Sequence, residues 1–195
     1  HPTFLSKNIP SLTEKIFLDI SENYEKIILE KNKIYFLYAS KKEQIQDLSL
    51  ISHSAGDTSV IFFGELPIIK NISYKEIKSL NKINKELQKY NITGCVSFYN
   101  VKANIDNVNI ESSSCEDGMN IISSNIKFNN IEINQAVSDG IDMDFSNVRI
   151  QNIISSKSDG DCIDLSFGDY FFNNVITNDC SDKGISIGEN SKVFL

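Results

Sequence analysis

The chain has 195 residues, enough to bury a core without a metal or disulfide staple, and its 26 acidic against 19 basic residues give a net charge of −7. That sign excludes a general nucleic-acid binder, which needs a basic surface to displace counterions. No stretch approaches the run of about 18 to 20 apolar residues that a membrane span needs, so no transmembrane segment is expected.

From the start of the chain, Ser11-Leu12-Thr13-Glu14 has the form of a capping box and predicts a short N-terminal capping helix from Ser11. Strand-like runs follow at Lys26 to Leu29, Ile34 to Tyr38, Leu48 to Ile51 and Val60 to Phe63. Next, the polar stretch around Glu76 to Tyr90 reads as an insertion. Residues 1–91 are therefore expected to form irregular coils, and residues 92–195 regular ones, within a single domain.

The regularity lies in a repeat. Gly118, Gly140 and Gly184 are spaced by 22 and twice 22 residues, with Cys162 at the position between the last two. Each is followed by an apolar-polar-apolar triplet: Met119-Asn120-Ile121, Ile141-Asp142-Met143, Ile163-Asp164-Leu165 and Ile185-Ser186-Ile187. Period-two alternation signals a strand. A second element ends in Asn before an apolar residue, at Asn107, Asn130, Asn152 and Asn174, with Asn71 an earlier copy. A repeat of about 22 residues is too short for helix pairs and lacks the leucine-rich signature, which leaves an all-β fold, a parallel β-helix. Equivalent residues then stack about 4.8 Å apart. Met119, Ile141, Ile163 and Ile185 are expected to form one inward ladder, Ile121, Met143, Leu165 and Ile187 a second, and Phe128, Ile150 and Phe172 a third. The Asn column is expected at a bend, in the left-handed conformation that Asn tolerates, with its amides bonded up and down the stack. Leu195 falls part-way through a coil, which predicts that the sequence is a piece of a longer chain.

Cys95, Cys115, Cys162 and Cys180 show no pair stacked on adjacent coils, so four buried thiols are expected. No CxxC motif is present, and His1 and His53 are too few for a histidine metal site.

Charge is distributed unevenly. Up to Ile110 there are 12 acidic and 14 basic residues; beyond it there are 14 acidic and 5 basic. Stacking aligns Asp117, Asp139 and Asp161 in one column and Asn120, Asp142, Asp164 and Ser186 in another, with Asp144 two residues beyond Asp142. Adjacent carboxylates at that spacing repel by about 3 kcal/mol at an effective dielectric near 20. Three reliefs are open: Ca²⁺ held by Asp142, Asp144 and Asp164, a proton on one carboxyl, or solvation with Ser, Asn and backbone donors.

The coils Val137 to Asp142, Asp159 to Ile163 and Asp182 to Gly188 resemble, in order and spacing, the Asn-Thr-Asp, Asp-Asp-Cys and Gly-His-Gly-x-Ser-Ile-Gly coils of polygalacturonase-type pectinases. That resemblance implies a right-handed parallel β-helix, with Asp139 and Asp161 at catalytic aspartate positions. Gly160 stands where the other aspartate of the pair would be, and Lys183 replaces the histidine. Ile92 to Tyr99, Cys115 to Ile121, Ser138 to Phe145 and Asp182 to Glu189 resemble more closely the coils of bacterial right-handed β-helix repeat proteins of the pectin-lyase-like group. This second resemblance implies a secreted, periplasmic or cell-surface protein.

Two functions are expected. The first is a binding domain that turns Asn120, Asp142, Asp144, Asp164 and Ser186 toward a polysaccharide or partner protein, with Ca²⁺ as the possible cofactor. The alternative is a polysaccharide-cleaving or epimerising enzyme using Asp139 and Asp161 as acid and base, Asp142 and Asp164 as auxiliaries, and Lys183 to neutralise charge.

Overall fold

The structure, a computed structural model, describes residues 14–22, 24–53, 58–77 and 92–195. In chain order the first strands are β1 (Glu14–Asp19), β2 (Lys26–Leu29), β3 (Lys33–Tyr38), β4 (Ile45–Ser52), β5 (Ser59–Glu65), β6 (Ile69–Glu76) and β7 (Gly94–Ile110). There follow β8 (Asp117–Ile122), β9 (Asn125–Ala136), β10 (Asp139–Asp144), β11 (Asn147–Ser158), β12 (Ile163–Ser166), β13 (Asp169–Cys180), β14 (Ile185–Ile187) and β15 (Lys192–Phe194). All pair in parallel and wind into a β-solenoid of about seven turns, with about 23 residues per coil. One stack runs β1, β3, β5, β7, β8, β10, β12, β14; the other runs β2, β4, β6, β7, β9, β11, β13, β15. The long strand β7 serves both, its first half pairing with β8 and its second with β9.

The apolar columns fill the inside. Val96, Met119, Ile141, Ile163 and Ile185 are in register, as are Phe98, Ile121, Met143, Leu165 and Ile187. Ile105, Phe128, Ile150 and Phe172 form the third ladder. Nearly all are fully buried, each contributing about 1.5–3 kcal/mol relative to exposure. The four strand runs read from the first 91 residues are β2 to β5. The capping helix from Ser11 and most of the Glu76 to Tyr90 insertion lie outside the described residues, and Glu14, the last residue of the capping box, opens strand β1.

The Asn column bends the long strands. In β9 two successive residues, Asn129 and Asn130, face outward before the inward phase resumes at Ile131, which turns the coil through a corner. The amides bond as expected: the Nδ2 atoms of Asn107, Asn130, Asn152 and Asn174 donate to the Oδ1 atoms of Asn71, Asn107, Asn130 and Asn152 over 2.7–2.8 Å. Asn71 continues the chain to Asp47. None of these asparagines has a positive φ. The left-handed expectation is therefore corrected: the amide ladder needs strand backbone on both sides, and the left-handed residues stand at other corners. One such column is Gly64, Asn100, Ser123, Phe145, Phe167 and Asn190, where β5, β7, β8, β10, β12 and β14 give way to the next side of the coil. A bulky residue held there costs about 1–3 kcal/mol. Phe145 and Phe167 stack on each other at 4.9 Å, and one such pair returns only about 0.5–1.5 kcal/mol.

The cysteine expectation is also corrected. Cys95–Cys115 and Cys162–Cys180 are disulfides, with Cα separations of 5.3 and 5.4 Å. Both partners lie within one coil, not above one another: 20 and 18 residues is just short of a full turn, so the chain returns beside its own starting strand. Cys162 occupies the glycine column, and Cys180 pairs in register with Ser158, which pairs with Ala136. Those columns face each other across a corner. A side chain on Gly140 would approach the Ser158 hydroxyl, 18 residues on, within 2.9 Å. Small residues leave room there, and one coil later two sulfurs fill it.

Intact-mass measurement under non-reducing conditions is expected to show both disulfides. Replacing Cys162 by Ser together with Cys180 by Ala is expected to lower unfolding free energy by about 3 kcal/mol, read by denaturant titration. Free thiols in the native protein count against the pairing.

Candidate functional site

The face formed by β3, β5, β7, β8, β10, β12 and β14 changes character along the axis. Its central outward column runs Phe36, Ile61, Ser97, Asn120, Asp142, Asp164, Ser186, apolar at one end and acidic toward the other. Phe36, Ile61, Ser97 and Asn120 are buried although they point away from the core, while Asp142, Asp164 and Ser186 are half-buried. Asn120 is committed inside the protein: its Nδ2 donates to Asp142 Oδ2 at 2.9 Å and to Asp117 Oδ2 at 3.4 Å.

The neighbouring aspartate column has a different role. Asp117 and Asp139 are in register, and Asp161 follows one coil later. Oδ1 of Asp139 accepts the backbone N–H of Asp161 at 2.7 Å, and Oδ1 of Asp161 accepts that of Lys183 at 2.8 Å. Each carboxylate thus caps the strand entry of the next coil. The Lys183 ammonium lies 2.7 Å from Asp182 and 3.5 Å from Asp161.

Burial dominates the electrostatics. Asp142 is pushed up to about 8, first by burial and then by the charges of Asp117, Asp144, Asp164 and Asp139. Asp117, only 2 % exposed, is raised to about 7 by burial, against an opposing hydrogen bond from Thr93. Asp139 and Asp144 are raised for the same leading reason, and the N–H of Asp161 holds Asp139 back. With its carboxyl raised to about 8, Asp142 holds a proton near neutral pH, the second of the three reliefs open to the column. Among the described residues, the carboxylates of Asp142, Asp144 and Asp164 do not gather as a trio of oxygens within 4.8 Å. The trio of candidate metal ligands that does gather is Glu76, Cys95 and Cys115, whose sulfurs are bonded to each other.

Sequence reasoning aligned Asp117 with the column but did not count it as a site residue, since burial of an outward position is invisible in a repeat. It also missed the buried Glu76, which receives the Tyr74 hydroxyl at 2.9 Å and that of Ser114. Glu76 stands in register with buried Ser52, and a carboxylate in a serine column was the available signal. The left-handed corner of Phe145 and Phe167 also went unread, although Asn100, Ser123 and Asn190 share its spacing.

No protein-family model matches the chain, and no curated protein or solved structure is significantly similar to it. No helix among the described residues is long and apolar enough to cross a membrane.

Because the folded protein holds protons on Asp142 and Asp117 that the unfolded chain releases near pH 4, stability is greatest below that pH as far as these groups are concerned. It falls as pH rises toward 8. Asp142→Asn is expected to flatten the decline in melting temperature between pH 5 and 8.5 and to melt several degrees higher than wild type at pH 8.5, at about 2–4 °C per kcal/mol. Parallel curves for the two proteins would remove Asp142 as the proton holder.

Proposed function

We propose that this chain is a non-catalytic binding domain of an exported or cell-surface protein, akin to the pectin-lyase-like β-helix repeat proteins its coils resemble. Its acidic face, with Asp142, Asp144, Asp164 and Ser186 accessible, meets a carbohydrate or a partner protein. The observation that carries this reading is the commitment of Asp139 and Asp161 to backbone N–H groups of the following coil. A general acid or base must be free to offer its carboxyl to the substrate, and one oxygen of each of these aspartates already holds the next coil. Asp161 is moreover 8 % exposed. Two disulfides fit an oxidising compartment, which supports export. Fold alone does not decide between binding and catalysis.

A polysaccharide-active enzyme is the second reading, favoured by one observation: Asp142 carries a proton near neutrality beside other carboxylates, as a general acid requires. On that reading the acid is Asp142, three residues along β10 from the capping Asp139.

Incubation with uronate and neutral polysaccharides between pH 4 and 8 is expected to release neither reducing ends nor unsaturated products. Release that disappears in Asp142→Asn would replace the binding reading with the enzymatic one. Ca²⁺ is expected to leave the melting temperature of wild type and that of Asp142→Asn/Asp164→Asn each unchanged; a Ca²⁺-dependent rise confined to wild type would place a metal at this face.

A further inference from the structure

The corner between the acidic face and the next side of the coil carries a groove of about 820 Å³, open along the axis from Gly64 and Glu65 to Asn190 and Lys192. Phe145 and Phe167 stand at its centre with φ of 51° and 49°. They are 60 % and 37 % exposed. Two aromatic residues are thus held in a conformation that large side chains avoid, at positions that leave more than half of Phe145 and over a third of Phe167 in water. Elsewhere in the same column the chain uses Asn100, Ser123 and Asn190, which suit the backbone better. The stack alone does not offset two strained backbones, and Phe145, 60 % exposed, gains little by burial, so folding gives little reason for phenylalanine here. Strain of this kind points to function.

The shape and chemistry of the groove define what fits. The rings are parallel within 9°, and their separation of 4.9 Å matches the coil spacing. Both rings line the groove, with Ser123 and Asn190 on either side of the pair along the axis. Among the described residues, no hydrogen bond engages the side-chain amides of Asn100, Asn147 or Asn190, in contrast to the fully bonded amides of the Asn ladder. They are available to hydroxyl groups. The charged lining residues come in opposite pairs, Glu65 with Lys102 at 3.3 Å and Asp169 with Lys192 at 3.9 Å. They cancel, so the groove selects neither anion nor cation. From Gly64 to Asn190 is five coil steps, about 24 Å at the strand spacing, the length of four to five linked sugar rings.

We infer that this groove is a binding site for an extended, uncharged polysaccharide, whose pyranose rings pack their C–H faces on Phe145 and Phe167 and offer hydroxyls to Asn100, Ser123, Asn147 and Asn190. The inference rests on the binding-domain reading and gives it a second surface, beside the acidic one, with a defined class of ligand.

Hexasaccharides of β-linked glucose, mannose and galactose, with hexagalacturonate as the charged control, are to be titrated calorimetrically into wild type, Phe145→Asn, Phe167→Asn and Asp142→Asn/Asp164→Asn. Asn is what positions 100 and 190 already carry, so the Phe variants are expected to fold with an equal or higher melting temperature. At least one neutral hexasaccharide is expected to bind wild type with submillimolar Kd. Each Phe variant is expected to weaken it by about tenfold or more, whereas the Asp variant binds as wild type does. Absence of neutral-sugar binding, unchanged affinity in the Phe variants, or a lower melting temperature in them overturns the inference. Binding lost in the Asp variant and kept in the Phe variants also overturns it while leaving the binding-domain reading intact. A dimer in light scattering that Phe145→Asn dissolves would assign the groove to a second copy of the chain and overturn it likewise.

Discussion

Everything in this molecule follows from stacking at one strand spacing. A residue in a parallel solenoid meets its own counterpart about 4.8 Å above and below, so each column must hold residues that tolerate their own kind. Isoleucine does so by packing, and asparagine by being donor and acceptor at once, which is why its amides run unbroken from Asp47 to Asn174. Aspartate does not. Where aspartates recur, the coil has to recruit something else: the backbone N–H of the next turn for Asp139 and Asp161, the Asn120 amide and a retained proton for Asp142.

The formal charge of −7 thus overstates the field at the acidic face. Burial leaves Asp142 largely neutral and Asp117 partly so near pH 7. The remaining charge sits next to a corner whose own charges cancel in pairs. The two surfaces differ in chemistry although each is built from the same repeat, because one draws on the outward strand positions and the other on the left-handed residues at one corner.

The repeat made the fold legible. Glycine spacing and triplet alternation located β8, β10, β12 and β14 and their inward ladders, and the Asn column located the bend in β9, β11 and β13. Column alignment also placed Asp117, Asp139 and Asp142 correctly beside their counterparts. Relations across a coil escaped it. The disulfides join positions at opposite ends of one turn, which a comparison of copies up the axis does not pair, although the facing Gly140 and Ser158 carried the same 18-residue offset. Solvent access escaped as well. Alternation says that Asn120 points away from the core, and only the folded chain shows that it is 2 % exposed there. Backbone sign was misplaced for a related reason: Asn is compatible with both the ladder and the left-handed corner, and residue type does not choose between them.

Placing each disulfide inside a coil has a mechanical consequence. A pull along the axis loads the hydrogen bonds between turns, which the disulfides do not cross, so turns are free to peel away one after another. Once peeled, a turn holding a disulfide does not extend fully: the loops closed over 20 and 18 residues stay shut. Together they withhold about 130 Å of contour length. Under tension the solenoid therefore yields in unequal steps, with its two shortest extensions at the cross-linked turns, and the oxidised chain reaches less far than its residue count allows.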